Sequence, residues 1–174
     1  MPSVQSRRWQ IEILDPTIDR QHFQSGSAPL DRYFQQQVTQ DIRRRVTACF
    51  VAYELDDSPT KKLVGYYTLA SSSVLLHELP DDVGKKLPRY PTVPAVRMGR
   101  LAVDSAIKGL GLGGILLVDA LQRAARSEIA AYALVVDAKD EQAVAFYQHY
   151  GFIRFADSPM TLFLPLVTVR QVLG

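Results

Sequence analysis

Apolar and polar positions alternate at the start of the chain. In RRWQIEILD, Trp9, Ile11 and Ile13 are separated by polar residues, the period of a half-buried strand that Asp15-Pro16 closes. The period then lengthens. In SAPLDRYFQQQVTQDIRRR, Leu30, Tyr33, Phe34, Val38 and Ile42 fall at helical spacing. Ser27 is placed to cap this single long helix, Asp31 lies in its first turn, and Arg43-Arg44-Arg45 end it where cations suit the dipole. VTACFVAYEL and LVGYYTLASSSVLL are strands joined through the turn DDSPTKK, the clearest hairpin in the chain. HELPDDVGKKLPRYPTVP carries four prolines and reads as a surface segment too polar and broken for the core.

AVRMGRLAVD is mostly apolar, as expected of a central strand. After a glycine-rich turn, Leu116, Leu117, Ala120, Leu121, Ala124 and Ala125 form one stripe of an amphipathic helix, opposite Asp119, Gln122, Arg123 and Arg126. AAYALVVDA reads as a buried strand. DEQAVAFYQHYGF reads as a short helix ended by Gly151. LFLPLVTV is a last strand at or near an edge, because Pro165 cannot donate to a ladder. The sum is an α/β chain forming a single domain over residues 1–174.

Composition narrows the class. An apolar content of 47% and a charged content of 22% describe a soluble globule, and no apolar run is long enough to span a bilayer. The start lacks the apolar centre of a signal peptide, so a cytoplasmic location with no membrane partner is expected. Cys49 is the one cysteine; it reads as a small buried residue, and no Cys/His cluster suits zinc, so no metal is expected. The net charge is only +2, but the cations are grouped: Arg7-Arg8, Arg43-Arg44-Arg45, and Lys85, Lys86, Arg89 and Arg97. Each group is ordinary surface or part of a phosphate-binding face.

The turn VDSAIKGLGLGG carries the chemistry. Gly109, Gly111 and Gly114 spell G-x-G-x-x-G, the dinucleotide fingerprint; from Lys108 the same residues spell basic-x-x-G-x-G, which resembles the turn that holds the pyrophosphate of coenzyme A in GNAT acetyltransferases, and both turns use glycines to bring backbone amides to phosphate. The dinucleotide version puts its first glycine directly after the strand, whereas here Asp104 to Lys108 intervene. Asp137 ends the next strand, where an acid would hold a ribose, but no run of β-α units precedes the turn. No G-K-[ST] follows, which excludes a Walker loop. Coenzyme A is therefore favoured.

The turn with V-x-x-x-x-K-x-x-G-x-G from Val103, and A-x-x-F-Y-x-x-x-G-F from Ala143 to Phe152, resembles the GNAT N-acetyltransferases. The likeness covers nearly the whole chain. GSAPLDRYF, QDIRRRVTACFVA, GRLAVD, VVDAKDEQAVAFYQHYGF and MTLFLPL are most similar to the family's toxins of toxin–antitoxin pairs, which acetylate the α-amine of aminoacyl-tRNA and stop translation. The resemblance implies a mixed central sheet of about six to seven strands, splayed at an acetyl-CoA site. It implies acetyl-CoA as donor, bound by Leu101, Ala102, Val103, Lys108, Gly109, Leu110, Gly111, Leu112, Gly113 and Gly114. It implies Tyr147 as general acid toward the leaving thiolate, with Phe146 and Tyr150 then better placed as core; without the resemblance Tyr147 itself reads as a core aromatic. It implies a homodimer, and a small antitoxin of the DNA-binding ribbon-helix-helix type. Arg43, Arg44, Arg45, Lys85, Lys86 and Arg89 become the tRNA-binding residues.

The chain departs from the family in two places. Many relatives carry Arg or Gln where Lys108 stands, and Asn where Asp140 stands. Lysine keeps the charge without the bidentate fork. No base is evident; Glu54, His77, Asp104 and His149 are candidates, each also readable as surface or structural. An acetyltransferase of a small-molecule or peptide amine, and a non-catalytic acetyl-CoA-binding module, are the rival readings. An acidic acceptor pocket would favour the first rival; the intact turn and Tyr147 oppose the second.

Overall fold

A computed structural model describes residues 8–56 and 59–173, with side chains described as far as residue 169. Arg7 and the turn residues Asp57 and Ser58 lie outside the described residues. Seven strands are hydrogen-bonded in the order β1-β2-β3-β4-β5-β7-β6. They are β1 (Arg8–Ile13), β2 (Ala48–Leu55), β3 (Lys62–Leu75), β4 (Thr92–Val103), β5 (Ala133–Asp137), β6 (Ile153–Arg154) and β7 (Thr161–Pro165). The sheet is mixed: β4 and β5 run parallel, whereas β1 with β2, β5 with β7, and β6 with β7 are antiparallel. The chain divides into two compact units, residues 1–68 with 101–119, and residues 69–100 with 120–174. Among the described residues, no helix is long and apolar enough to cross a membrane.

In the first unit, the predicted long helix is present but interrupted. It comprises α1 (Ala28–Arg32), a π-helical turn (Tyr33–Gln37) and α2 (Val38–Arg43). The cause is local. The amide of Val38 donates to the carbonyl of Tyr33, five residues back, and the carbonyl of Phe34 accepts instead from Nε of Arg20 at 2.8 Å. The apolar face is as expected: Tyr33, Phe34 and Val38 are buried, and Leu30 and Ile42 pack against them with Phe23, Val51, Tyr53 and Tyr66. Ser27 occupies the N-cap position without a side-chain cap bond; Asp31 accepts from the amide and hydroxyl of Ser25 at 2.9 and 2.6 Å. At the other end, Arg45 adopts a left-handed φ of 58° and turns the chain into β2. The alternation in β1 is only partly realised. Ile13 is exposed, and Leu14 enters the core in its place.

In the second unit, Val93 and Ala95 of β4, Ala133 and Val135 of β5, Phe163 of β7, and Phe155 form one apolar cluster. The proline-rich segment after β3 corrects the surface reading. It folds into a 3-10 turn (Leu76–Glu78) and α3 (Asp81–Gly84); Leu79 is buried, and Leu76, Val83 and Leu87 pack against that cluster. Its polar residues hid an i, i+3, i+4 set of apolar positions long enough for one helical turn. Beyond Pro165 the predicted strand LFLPLVTV splits: β7 ends, and α6 (Leu166–Leu173) begins. β7 lies between β5 and the edge strand β6, so its proline stands at the strand's end beside an edge.

Candidate functional site

β4 and β5 pair from Ala95–Met98 against Ala133–Val136, and β4 then continues to Val103. Leu101 and Val103 are half-buried, and Ala102 is buried. The chain next makes a 3-10 turn (Ser105–Ile107) capped by Asp104, whose carboxylate accepts from the amide of Ala106 at 3.0 Å. This turn fills the gap between strand and first glycine that separates the sequence from a dinucleotide fingerprint. Asp104 is fully occupied as an anchor: its amide donates to the carbonyl of Val64 (2.8 Å), and its second carboxylate oxygen accepts from the amide of Gln24 (3.3 Å).

Gly109 and Gly111 have φ of +82° and +90°. A Cβ at either position would meet nothing within 4 Å, so both glycines border open space. Glycine is required here by backbone conformation rather than by crowding. The helix α4 (Leu112–Arg126) starts at once, the amide of Ile115 donating to the carbonyl of Gly111 at 3.2 Å. Amides at the start of a helix have no intrahelical acceptor, and the dipole there is positive. Leu112 is buried and roots the turn, Leu110 is exposed at its tip, and Gly113 and Gly114 are half-buried in the first helical turn. The open, donor-rich turn therefore fits a pyrophosphate. Lys108 is already engaged: its ammonium donates to the carbonyl of Ser25. With the amide of Ser105 donating to the carbonyl of Gln24 at 2.7 Å, this ties the Gln24–Ser27 loop to the glycine turn.

Tyr147 lies in the second unit, on α5 (Glu141–His149). It is 5% exposed, its ring against Phe146 and Phe152 at centroid distances of 5.3 and 5.6 Å. Burial first, and then the negative charge of Asp137, push its phenol well above the usual tyrosine range. Val144 and Tyr147 make the inward face of this helix, whereas Phe146 is half-buried and Tyr150 is 36% exposed. The expectation that Phe146 and Tyr150 are the better core positions is thus corrected: helical phase turns Tyr147 inward, as its reading as a packed aromatic had it. Asp140 caps α5, accepting from the amide of Ala143 at 2.8 Å, a helix-starting role that Asn would also fill.

Asp137 is held in the second unit by Arg97, whose Nη1 lies 2.7 Å from both carboxylate oxygens. The two are 40 residues apart and meet only because β4 and β5 are adjacent. Nothing local in the sequence marks this pair. Arg97 therefore leaves the basic group to which its position assigned it, and Asp137 is engaged away from any ribose role.

The other expected residues scatter. His149 is exposed against Tyr150, His77 lies on the 3-10 turn after β3, and Glu54 lies on β2. Arg43, Arg44 and Arg45 are exposed together in the first unit; Lys85, Lys86 and Arg89 are exposed together in the second. Cys49 is buried. Among the described residues, no group of three metal-ligating side chains occurs.

A family model described as "Acetyltransferase (GNAT) domain" matches residues 86–161, from just after α3 to the first residue of β7. A "tRNA-acetylating toxin" of Mycobacterium tuberculosis (strain ATCC 25618 / H37Rv) is 34% identical over 87% of this chain and 89% of its own length. A "Probable toxin TacT" of Sinorhizobium fredii (strain NBRC 101917 / NGR234) is 30% identical over 94% of each. Among solved structures, AtaT complexed with acetyl-methionyl-tRNAfMet superposes with a TM-score of 0.86 at 28% identity, covering 96% of this chain and all of that one. AtaTR bound with AcCoA gives 0.81 at 27%, covering 95% and 98%. A mutant AtaT toxin bound to the C-terminus of the antitoxin AtaR gives 0.79 at 25%, covering 94% and 97%. Identity of 30% or more across most of both lengths relates whole chains rather than one shared motif, and the chain belongs to the GNAT acetyltransferases, alongside the tRNA-acetylating toxins.

Proposed function

We propose that this chain is an acetyl-CoA-dependent N-acetyltransferase that modifies the α-amine of aminoacyl-tRNA and thereby blocks translation. The observation that carries this reading is the near full-length kinship with tRNA-acetylating toxins, in a chain that keeps an open glycine turn at a helix start. Residues 1–174 act in this reading as a single acetyltransferase domain, in the cytoplasm and as a homodimer. The partner is a small DNA-binding antitoxin; a toxin bound to its antitoxin is among the structural relatives.

The roles follow from the chemistry. Backbone amides from Lys108 to Gly114 hold the pyrophosphate of coenzyme A, aided by the positive end of α4. Backbone groups of Leu101, Ala102 and Val103 hold the pantetheine arm and the thioester carbonyl. The amine nitrogen attacks the carbonyl carbon, the carbon–sulfur bond breaks, and the sulfur leaves as thiolate. The hydroxyl of Tyr147 donates a hydrogen bond to that sulfur. A phenol raised above its usual range does not give up its proton fully to a thiolate, so the bond strengthens as charge develops without completing the transfer. The amine's proton leaves to water. The α-amine of an aminoacyl ester is less basic than a lysine and partly neutral near pH 7, which makes a dedicated base unnecessary. Lys108 acts first through Ser25, positioning the turn, and contributes its charge from there.

The test is acetyl-CoA consumption with charged tRNA against a panel of small amines. Consumption that requires charged tRNA supports the reading. Consumption with a small amine and none with charged tRNA returns the chain to the general amine acetyltransferases.

A further inference from the structure

The segment between β3 and β4 forms a groove that the transfer chemistry leaves unused. Its ends meet, the amide of Leu76 donating to the carbonyl of Pro91 at 3.1 Å, and its buried Leu79 roots it on the apolar cluster of the second unit. A groove of about 730 Å³ opens on it, with a floor of Leu75, Leu76 and Leu79 and a rim that includes Lys85, Arg89 and Tyr90. Tyr90 is 69% exposed, the most exposed large aromatic of the described residues. His77 and one carboxylate, Asp81, also line the groove. Two cations against one carboxylate leave it positive.

Resting on the reading of the acceptor as aminoacyl-tRNA, we propose that this groove seats an unpaired nucleotide of the acceptor's single-stranded end, with the base stacked on Tyr90 and Lys85 and Arg89 on the flanking phosphates. An exposed ring beside cations selects unpaired bases, because a base within a duplex offers its faces to neighbouring pairs rather than to a side chain. The volume suits one or two nucleotides and excludes a duplex. The groove also lies on a definite face of the sheet. Leu76 and Leu79 pack with Val93 and Ala95, and the next residue on that side of β4 is Arg97, paired with Asp137.

The test compares Tyr90→Ala, Tyr90→Trp and wild type for binding of a deacylated tRNA and of the same tRNA with its unpaired 3′ nucleotides removed. Stacking of one base on an aromatic ring is worth roughly 5- to 150-fold in affinity. Tyr90→Ala is expected to lose that factor for the intact tRNA and nothing for the trimmed one, and Tyr90→Trp to bind both like the wild type. Because Tyr90 is exposed, its removal leaves the fold unchanged. Equal binding of intact tRNA by Tyr90→Ala and wild type overturns the groove assignment, as does an equal loss with the trimmed tRNA. Transfer to charged tRNA by the wild type, measured alongside, separates the two readings: transfer with an indifferent Tyr90 sinks the groove alone, and no transfer sinks the function.

Discussion

Replacing Gly111 separates backbone strain from charge at the cofactor turn. Its φ of +90° is one that L-residues rarely adopt, and a Cβ there meets nothing within 4 Å. Gly111→Ala therefore causes no clash, only strain, of about 1–3 kcal/mol. That strain is shared between two observables. If the turn keeps its φ, stability falls, by about 2–4 °C in melting temperature per kcal/mol for a chain of this size. If the turn relaxes to negative φ, stability is spared, and acetyl-CoA affinity drops by up to roughly 150-fold as the turn is forced back on binding. Gly111→Asp keeps the strain and adds a carboxylate facing the phosphates. One like-charge pair at about 4 Å costs about 1 kcal/mol in water and about 4 kcal/mol near a protein surface. The combined loss in affinity is then roughly 5-fold, where the strain falls wholly on stability, to more than 10⁴-fold, where the turn relaxes. Calorimetric titration with acetyl-CoA, beside thermal melts with acetyl-CoA and with NAD, reads each part. Acetyl-CoA binding by Gly111→Asp within twofold of wild type, or stabilisation by NAD and not by acetyl-CoA, refutes the phosphate role of the turn.

Tyr147→Phe should keep acetyl-CoA affinity and lose about 10²–10³-fold in transfer rate, the range for removing one hydrogen-bond donor to developing charge; a rate near wild type would assign Tyr147 to packing. The same variant tests the raised phenol. Its stabilising effect is complete below pH about 10, where free tyrosine is still neutral, and is lost as pH rises above that value, because the unfolded state then ionises first. Tyr147→Phe should therefore lose less stability than wild type between pH 9 and 11, with Tyr53 and Tyr132, also raised by burial, keeping some slope; identical alkaline melts contradict this. Neutralising Arg43, Arg44 and Arg45, or Lys85, Lys86 and Arg89, should weaken tRNA binding and flatten the log–log salt slope by roughly one per lost phosphate contact while acetyl-CoA binding stays; unchanged slopes would make both groups plain surface. Gly65→Ala should lower the melting temperature, since its Cβ would meet Leu116, the carbonyl of Ala102 and Leu112 at 3.0–3.2 Å; overpacking costs about 1–3 kcal/mol, and an unchanged melt would show that α4 yields.

Local rules made much of this protein legible. Helical and strand periods located β1 to β5, α4 and α5, because each element's apolar face is written at its own repeat. Five residues between strand and first glycine set the turn apart from the dinucleotide fingerprint, and they fold as a capped 3-10 turn. Other features depended on partners distant in the chain. The π-helical turn exists because Arg20 takes the carbonyl of Phe34. Lys108 binds Ser25, 83 residues away, so a residue marked for phosphate by its motif also fastens a loop. Arg97 and Asp137 meet across β4 and β5, and Asp137 in turn acts on the buried Tyr147. The polar segment after β3 could show its buried leucines and its groove only once β4 and β5 provided an apolar face to cover. Periodicity records which face of an element is apolar; only the packed chain decides which charges that face brings together.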